Sequence, residues 1–151
     1  MRQVKIFFVV LTCLLFLPGT SQLFAQCEVI EKRQKLMNFN IKVTNAIRKA
    51  LKENDFATIE AKAKQIAANM DKVPDLFPKG STSEKSRAKP KIWEEWVSFN
   101  EKRIALKTAA DALAKAAMAR DKSEVKAKYK ALGKACSSCH RSFRGKKKRK
   151  K

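Results

Sequence analysis

Near the C-terminal end of the 151-residue chain, Cys136-Ser137-Ser138-Cys139-His140 sets two thiols three positions apart and an imidazole directly after the second. This is the C-x-x-C-H pattern of c-type haem attachment. Two thiols at this spacing can add to both vinyl groups of one porphyrin, and the adjacent imidazole can reach its iron. Covalent fixation keeps the cofactor from leaving. His140 is the single histidine, so neither a cage of several imidazoles nor a relay between two histidines is available. Three other chemistries use the same residue types. A redox-active Cys136–Cys139 disulfide expects a strand-to-helix setting in a βαβ fold, and no strand pattern is visible. A zinc site would recruit Cys27 to give three thiolates and one imidazole, but Cys139 and His140 are sequence neighbours and close a tetrahedron awkwardly. Unmodified buried thiols leave the histidine without a role.

The elements that must position this segment read as helices. Pro74, Pro78 and Pro90 fall in one window with Gly80 and the run Ser81-Thr82-Ser83, which marks a loop. Elsewhere the chain is rich in Ala, Lys, Glu and Leu with no strand alternation of useful length, so the fold class is all-α. A first amphipathic segment, about 28–52, carries Val29, Leu36, Val43, Ile47 and Leu51 on one stripe, widened by Ile30, Met37 and Ile41. A second, about 55–72, carries Phe56, Ile59, Ala63, Ile66 and Met70, with Asn54 or Asp55 as its cap. The third, about 91–119, carries Ile92, Trp96, Phe99, Leu106, Ala110, Leu113 and Ala117, interrupted by Arg103. The fourth opens at Asp121 with Glu124 three positions on, a capping-box pattern, and continues through Val125, Tyr129 and Leu132. Short connections force antiparallel neighbours, so the economical architecture is an antiparallel four-helix bundle. Extending the fourth stripe past Leu132 reaches Cys136, Cys139 and Phe143, which puts both thiols on the core-facing side.

The chain has 35 basic and 14 acidic side chains, a formal charge of +21. Residues 1–25 read as a secretory signal, with Arg2 and Lys5 before an apolar stretch from Ile6 to Leu17 and then Pro18-Gly19. The apolar run is shorter than the ~20 residues that span a bilayer. Cleavage after Ala25 would leave a mature chain of charge +19, with eight basic residues between Arg141 and Lys151. The expected organisation is therefore a signal at 1–25, a helical domain at 26–144 and a basic disordered tail at 145–151, in a protein exported to the periplasm or an equivalent compartment. An intracellular chain of this charge would suggest nucleic acid, but an exported one meets little of it. An acidic protein partner or an anionic membrane surface fits better.

The haem motif at the end of a four-helix chain resembles the class II c-type cytochromes, typified by cytochrome c′. Arg33-Gln34-Lys35-Leu36-Met37 is similar to that family's first-helix motif, in which an arginine that contacts a haem propionate precedes by four residues the group over the distal face. Pro90-Lys91-Ile92-Trp93, with Phe99 beyond, is similar to its third-helix opening, and Cys136 to Arg144 matches its closing motif. The likeness runs over essentially the whole mature chain and departs at the poly-lysine end and at the extra Cys27. It implies one covalently bound haem c, His140 as proximal iron ligand, Arg33 as partner of a haem carboxylate, Arg144 acting on the proximal side, and Trp93 and Phe77 lining the haem edge or distal pocket. A solvated surface arginine is the plain alternative for Arg33. Trp96 and Phe99 read as core packing.

The sixth iron position decides the chemistry. An empty, apolar-screened site binds gases such as NO or CO, whereas a side chain there makes an electron carrier whose potential follows that ligand. Met37 is one candidate, as distal ligand or as a pocket residue that only packs. Cys27 is the other; it stands ten helical residues, a rise of ~15 Å, from Met37. It could serve only if the helix starts later and the N-terminal segment folds back, or if the helix slides in register. Otherwise it is a free thiol or one half of an intermolecular disulfide. The leading expectation is an exported electron-transfer haem protein that also binds NO or CO, with no enzymatic turnover. A five-coordinate NO sensor or scavenger is second, and a haem-free basic helical binding module is the contrasting class. The resemblance further implies a dimer, homo- or heterodimeric, through the first two helices.

Overall fold

The computed structural model describes residues 19–84 and 86–146, with side chains from residue 26 onward. Residues 1–18, which hold most of the expected signal, and 147–151, most of the expected tail, lie outside the described residues. The first helix, α1, runs Gly19–Glu53. The expected start near 28 is thus corrected, since helical backbone continues upstream through the expected cleavage point after Ala25. No Gly or Pro interrupts the chain from Thr20 to Glu53, so nothing local stops the helix.

A two-residue turn joins α1 to α2 (Phe56–Asp71). Asn54 takes a left-handed φ of 53°, and the Asp55 carboxylate accepts from the Thr58 N–H at 3.0 Å, settling the cap on Asp55. The second short connection is built the same way. Arg120 has φ 54°, and the Asp121 carboxylate accepts from the Glu124 N–H at 2.9 Å to start α5 (Lys122–Phe143). Single left-handed residues followed by an aspartate cap reverse the chain tightly enough to make neighbouring helices antiparallel.

The proline window holds one 3-10 turn at Pro74–Leu76 and a left-handed Gly80, φ 75°. The third helix is broken where a continuous one was expected: α3 (Lys91–Glu94) is separated from α4 (Trp96–Met118) by Glu95, φ −118° and ψ 50°. Short of that break, the Trp93 indole N–H is held by the carbonyls of Phe77 and Pro78, at 3.1 and 2.9 Å. Beyond it, Trp96 and Phe99 stack on each other, ring centroids 5.4 Å apart. One straight helix would hold both tryptophans in fixed rotation, and the break lets each face its own partner.

The four long helices close a bundle with two apolar clusters. The larger joins Val43, Ile47 and Ala50 of α1, Ile59, Ala63, Ile66 and Ala67 of α2, Ala110 to Ala117 positions of α4, and Val125 and Leu132 of α5. The smaller lies at the end where the proline loop crosses and joins Met70, Val73, Phe77, Ile92, Phe99 and Phe143, with Met37, Trp93 and Cys139 packed against it. Two expected core positions are corrected: Ile41 is 56% and Trp96 37% exposed. Ile41 lies beyond the edge of the α1 stripe, and Trp96 rests one face on Phe99 with its other side open. Arg103, the interruption in the α4 stripe, is neutralised by donating to the Met70 carbonyl at 3.1 Å and facing Asp71 at 3.6 Å.

Candidate haem site

The last turns of α5 carry Cys136, Cys139 and His140, all half-buried. Both thiols are free, and Cys139 packs against the aromatic cluster together with Phe143 one turn on. Burial pushes both thiols above the ordinary cysteine value; at Cys139, Lys102 opposes the rise and Cys136 adds to it. The Lys102 ammonium donates to Ser138 Oγ at 3.0 Å, between the two cysteines. Burial first, and then the charges of Arg144 and Arg87, hold the His140 imidazole below its usual value. A neutral imidazole keeps the lone pair that a metal needs.

The loop clasps this end of α5. The Lys89 N–H donates to the Phe143 carbonyl at 3.0 Å, and the Lys89 ammonium donates to the carbonyls of Arg141 and Ser142 at 3.3 and 3.1 Å. Ammonium groups suit the negative end of a helix. Ala88 and Arg144 form an antiparallel bridge, and the Arg87 guanidinium closes on the Gly145 carbonyl at 2.9 and 2.7 Å. Gly145 is thereby held against the loop.

Arg33 is 5% exposed, and the alternative of a solvated surface arginine is overturned. Nε donates to the Leu76 carbonyl at 2.9 Å, Nη1 to the Ser81 carbonyl and Ser86 Oγ at 3.2 and 3.3 Å, and Nη2 to Ser81 Oγ at 2.6 Å. Its guanidinium carbon stands 3.9 Å over the Phe77 ring, a cation–π contact. Burial pulls the group down to about 10, still far above neutrality, so it is a buried cation whose hydrogen bonds secure the loop. Ser81, 1% exposed, and Ser86 were not singled out from the sequence. A signal existed: an arginine on an apolar stripe needs acceptors, and the serine-rich loop is the chain's densest source of them.

One helical turn after Arg33, Met37 is half-buried and packs on the same cluster as Cys139, Phe77 and Trp93. The structure therefore gathers Arg33, Met37, Phe77, Trp93, Cys136, Cys139 and His140 at one end of the bundle, with Arg144 exposed beside them. It does not bring Cys27 there. That thiol is exposed on a continuous α1, and neither a later helix start nor a fold-back shortens the ~15 Å rise to Met37. The Cys27 candidacy as distal ligand is corrected on that geometry, and with it the three-thiolate zinc set.

The donor chemistry fits a covalently held haem. Two free thiols share one helix at i and i+3, a neutral imidazole follows directly, and Met37 and the aromatic cluster supply an apolar surround. A family model described as Cytochrome C′ matches residues 28–144. A cytochrome c-556 of Rhodopseudomonas palustris is 36% identical over 134 residues, covering 83% of this chain and 89% of that protein. Cytochrome c′ from Thermochromatium tepidum superposes with a TM-score of 0.74 at 29% identity, covering 80% of this chain and 97% of its own. A second solved cytochrome c′, one with an unusual ligand-controlled dimer dissociation, gives a TM-score of 0.74 at 28% identity over 80% of this chain and 97% of its own. The match takes in α1 from residue 28 and the other three long helices and ends one residue past the clasped Phe143, so this chain belongs to the cytochrome c′ family and is a haem c protein whose cysteine pair near the C-terminus fits the attachment motif.

Proposed function

We propose that the protein is an exported one-electron carrier, with Met37 as the distal group, and that it turns over no substrate of its own. The observation that carries this reading is the shared packing of Met37 from α1 and Cys139 from α5 on one apolar cluster. That cluster puts a thioether at the end of the bundle where His140 is carried. When bound, haem c supplies an iron that cycles between two oxidation states. The chain's residues set its surroundings: His140 offers a neutral imidazole, Met37 a soft sulfur, Arg33 a buried positive charge and the aromatic cluster a dry wall. Thioether ligation raises the potential.

Gas binding is the second reading, and the flexibility of methionine favours it. A long unbranched side chain that is only half-buried can give way to NO or CO. The relative with ligand-controlled dimer dissociation supports this and also a dimer. Phe39 and Ile41, 45% and 56% exposed on α1, leave large apolar side chains at the surface of that helix for such pairing. Export is supported by the basic start and apolar stretch of residues 1–17. No helix among the described residues is long and apolar enough to cross a membrane.

Absorption spectra of the purified holoprotein and of Met37→Ala test the reading. The expected result is a low-spin ferric spectrum that turns high-spin in Met37→Ala, with faster CO uptake by the ferrous variant. A high-spin wild-type spectrum unchanged by the substitution overturns Met37 as ligand and leaves the open, gas-binding site. An N-terminal mass beginning near Gln26 from the extracytoplasmic fraction tests export.

A further inference from the structure

Two shallow depressions meet along the α4–α5 seam at Lys134 and Ser138. One is lined by Lys130, Gly133, Lys134, Ser137, Ser138 and Arg141. The other crosses to Glu101, Lys102 and Ala105 of α4. Lys130, Lys134 and Arg141 are exposed, and none of the ion pairs among the described residues takes them in. From Val125 to Phe143, α5 contains no Asp or Glu. Glu101 is thus the one acid against four cations along the seam. Beside it α4 exposes Val97 and Ile104, 72% and 46%, which share a face with Glu101 by their spacing of four and three. The whole forms a cationic seam with an apolar margin.

Its position matters as much as its charge. Ser137 and Ser138 lie between the two cysteines, so an occupant of the seam touches the very segment that fits haem attachment. At Gly133 a Cβ would meet nothing within 4 Å, so an occupant can approach the helix backbone there closely.

We propose that this seam docks an acidic one-electron redox protein, whose carboxylates pair with Lys102, Lys130, Lys134 and Arg141 while an apolar group covers Val97. The inference rests on the electron-carrier reading. In the step it serves, the reduced partner loses one electron and the ferric haem iron gains it, with no bond made or broken and no proton moved. Complementary charge steers the encounter and fixes the orientation more than it tightens the complex. The apolar margin beside the cations, and the seam's place at the segment that fits haem attachment, suit a redox protein better than a lipid surface.

The probe is an acidic [2Fe–2S] ferredoxin mixed with the holoprotein. Carbodiimide cross-linking with peptide mapping, titration calorimetry at low salt and stopped-flow reduction of the haem read the outcome. The Lys130→Glu/Lys134→Glu double variant is compared with Lys52→Glu/Lys115→Glu, which changes the net charge equally on exposed residues elsewhere. Affinity and association rate are expected to fall tenfold or more in the first pair and less than twofold in the second, with cross-links on Lys102, Lys130 or Lys134. Equal losses in both pairs overturn the seam and leave only the field of the whole molecule. Vesicles of phosphatidylcholine and phosphatidylglycerol form a second arm: binding to them that is lost in Lys130→Glu/Lys134→Glu, with ferredoxin binding unchanged, assigns the seam to a membrane and overturns a protein partner. Ferredoxin bound at the seam without haem reduction sinks the carrier reading while the surface stands. Equal reduction rates in every variant sink the surface while the carrier reading stands.

Discussion

The two apolar clusters of the bundle are built on different principles. The larger is mostly alanine and aliphatic: Ala63, Ala67, Ala110, Ala114 and Ala117 share it with Ile47, Ile59, Ile66, Leu113 and Leu132, all at 5% exposure or less. Small side chains mixed with branched ones let helices approach closely and interdigitate. The smaller is aromatic. Phe99 stands at its centre, with Phe77 at 4.9 Å, Trp96 at 5.4 Å and Phe143 edge-on at 5.4 Å. It also takes in what the larger cluster excludes: a loop, a buried cation and the cysteine that neighbours His140. Close packing of like shapes supplies stability in one cluster, while the other spends part of its packing on large rings and polar pins that shape a site.

If that division is right, the motif residues and the body fail in different ways. The largest effect expected is from Cys136→Ser/Cys139→Ser, which removes both thioether partners: the purified chain should carry no covalent haem by mass, yet keep its helical circular dichroism. Loss of helix content together with haem would mean that the bundle depends on the cofactor and the division is false.

Next in size come paired truncations, one per cluster. Ile47→Ala, at a fully buried position, should cost about 3–4 kcal/mol, and Phe99→Ala about 3–5 kcal/mol. Chemical denaturation measures both. The absorption spectrum should separate them, unchanged for Ile47→Ala and shifted for Phe99→Ala. Identical spectra would show that the aromatic end does not shape the site.

How much of this was legible in the sequence also follows the division. The body was readable because its helices carry apolar residues at steps of three and four, and because Asp55 and Asp121 cap their helices through neighbours three positions on. The haem motif was readable because its chemistry is local: five consecutive residues hold it. The aromatic end was only half readable. Arg33 and Met37 were identified, but Ser81, Ser86, Arg87 and Lys89 act across 48 to 58 positions, and no local pattern encodes a partner that far along the chain. The break at Glu95 was missed for the same reason, since Trp93 answers to loop carbonyls and not to its own helix. Cys27 needed a later start or a fold-back of α1 to approach Met37, and α1 is helical straight through it.

A smaller effect tests the loop pin itself. Arg33→Met removes a buried cation and leaves the Leu76 and Ser81 carbonyls and Ser81 Oγ without it, at about 1–3 kcal/mol. Arg33→Lys keeps the charge but not the planar fork, and should recover only part of that loss. Hydrogen exchange at the loop amides of residues 76, 77 and 79–81 should speed up in both variants, more in Arg33→Met, while α2 and α4 amides of the body stay as they were. Acceleration spread evenly over the bundle would mean that Arg33 supports the whole fold and does not pin the loop.

The smallest effect is one in which the sign carries the information. In the haem-free Cys136→Ser/Cys139→Ser chain, His140 is held below its usual value by burial and by Arg144 and Arg87. A native imidazole that resists protonation binds fewer protons than the unfolded one, so acid favours unfolding. The contribution is whole above the unfolded value near 6.5, and it is lost as the pH falls through that value towards the lower native one. The melting temperature should therefore drop between pH 7.5 and 5.5, and part of the drop should vanish in a third variant that adds His140→Gln. Had a carboxylate faced the imidazole, the slope would reverse and acid would stabilise. The groups that face it are guanidinium groups, brought by the loop clasp and by the residue that ends α5, so they add to the positive slope that burial already gives. Replacing Arg87 by Gln should flatten it by removing one of the two charges. A slope unaffected by Arg87→Gln would mean that burial and Arg144 set the imidazole, and that the clasp holds the helix end without touching its electrostatics.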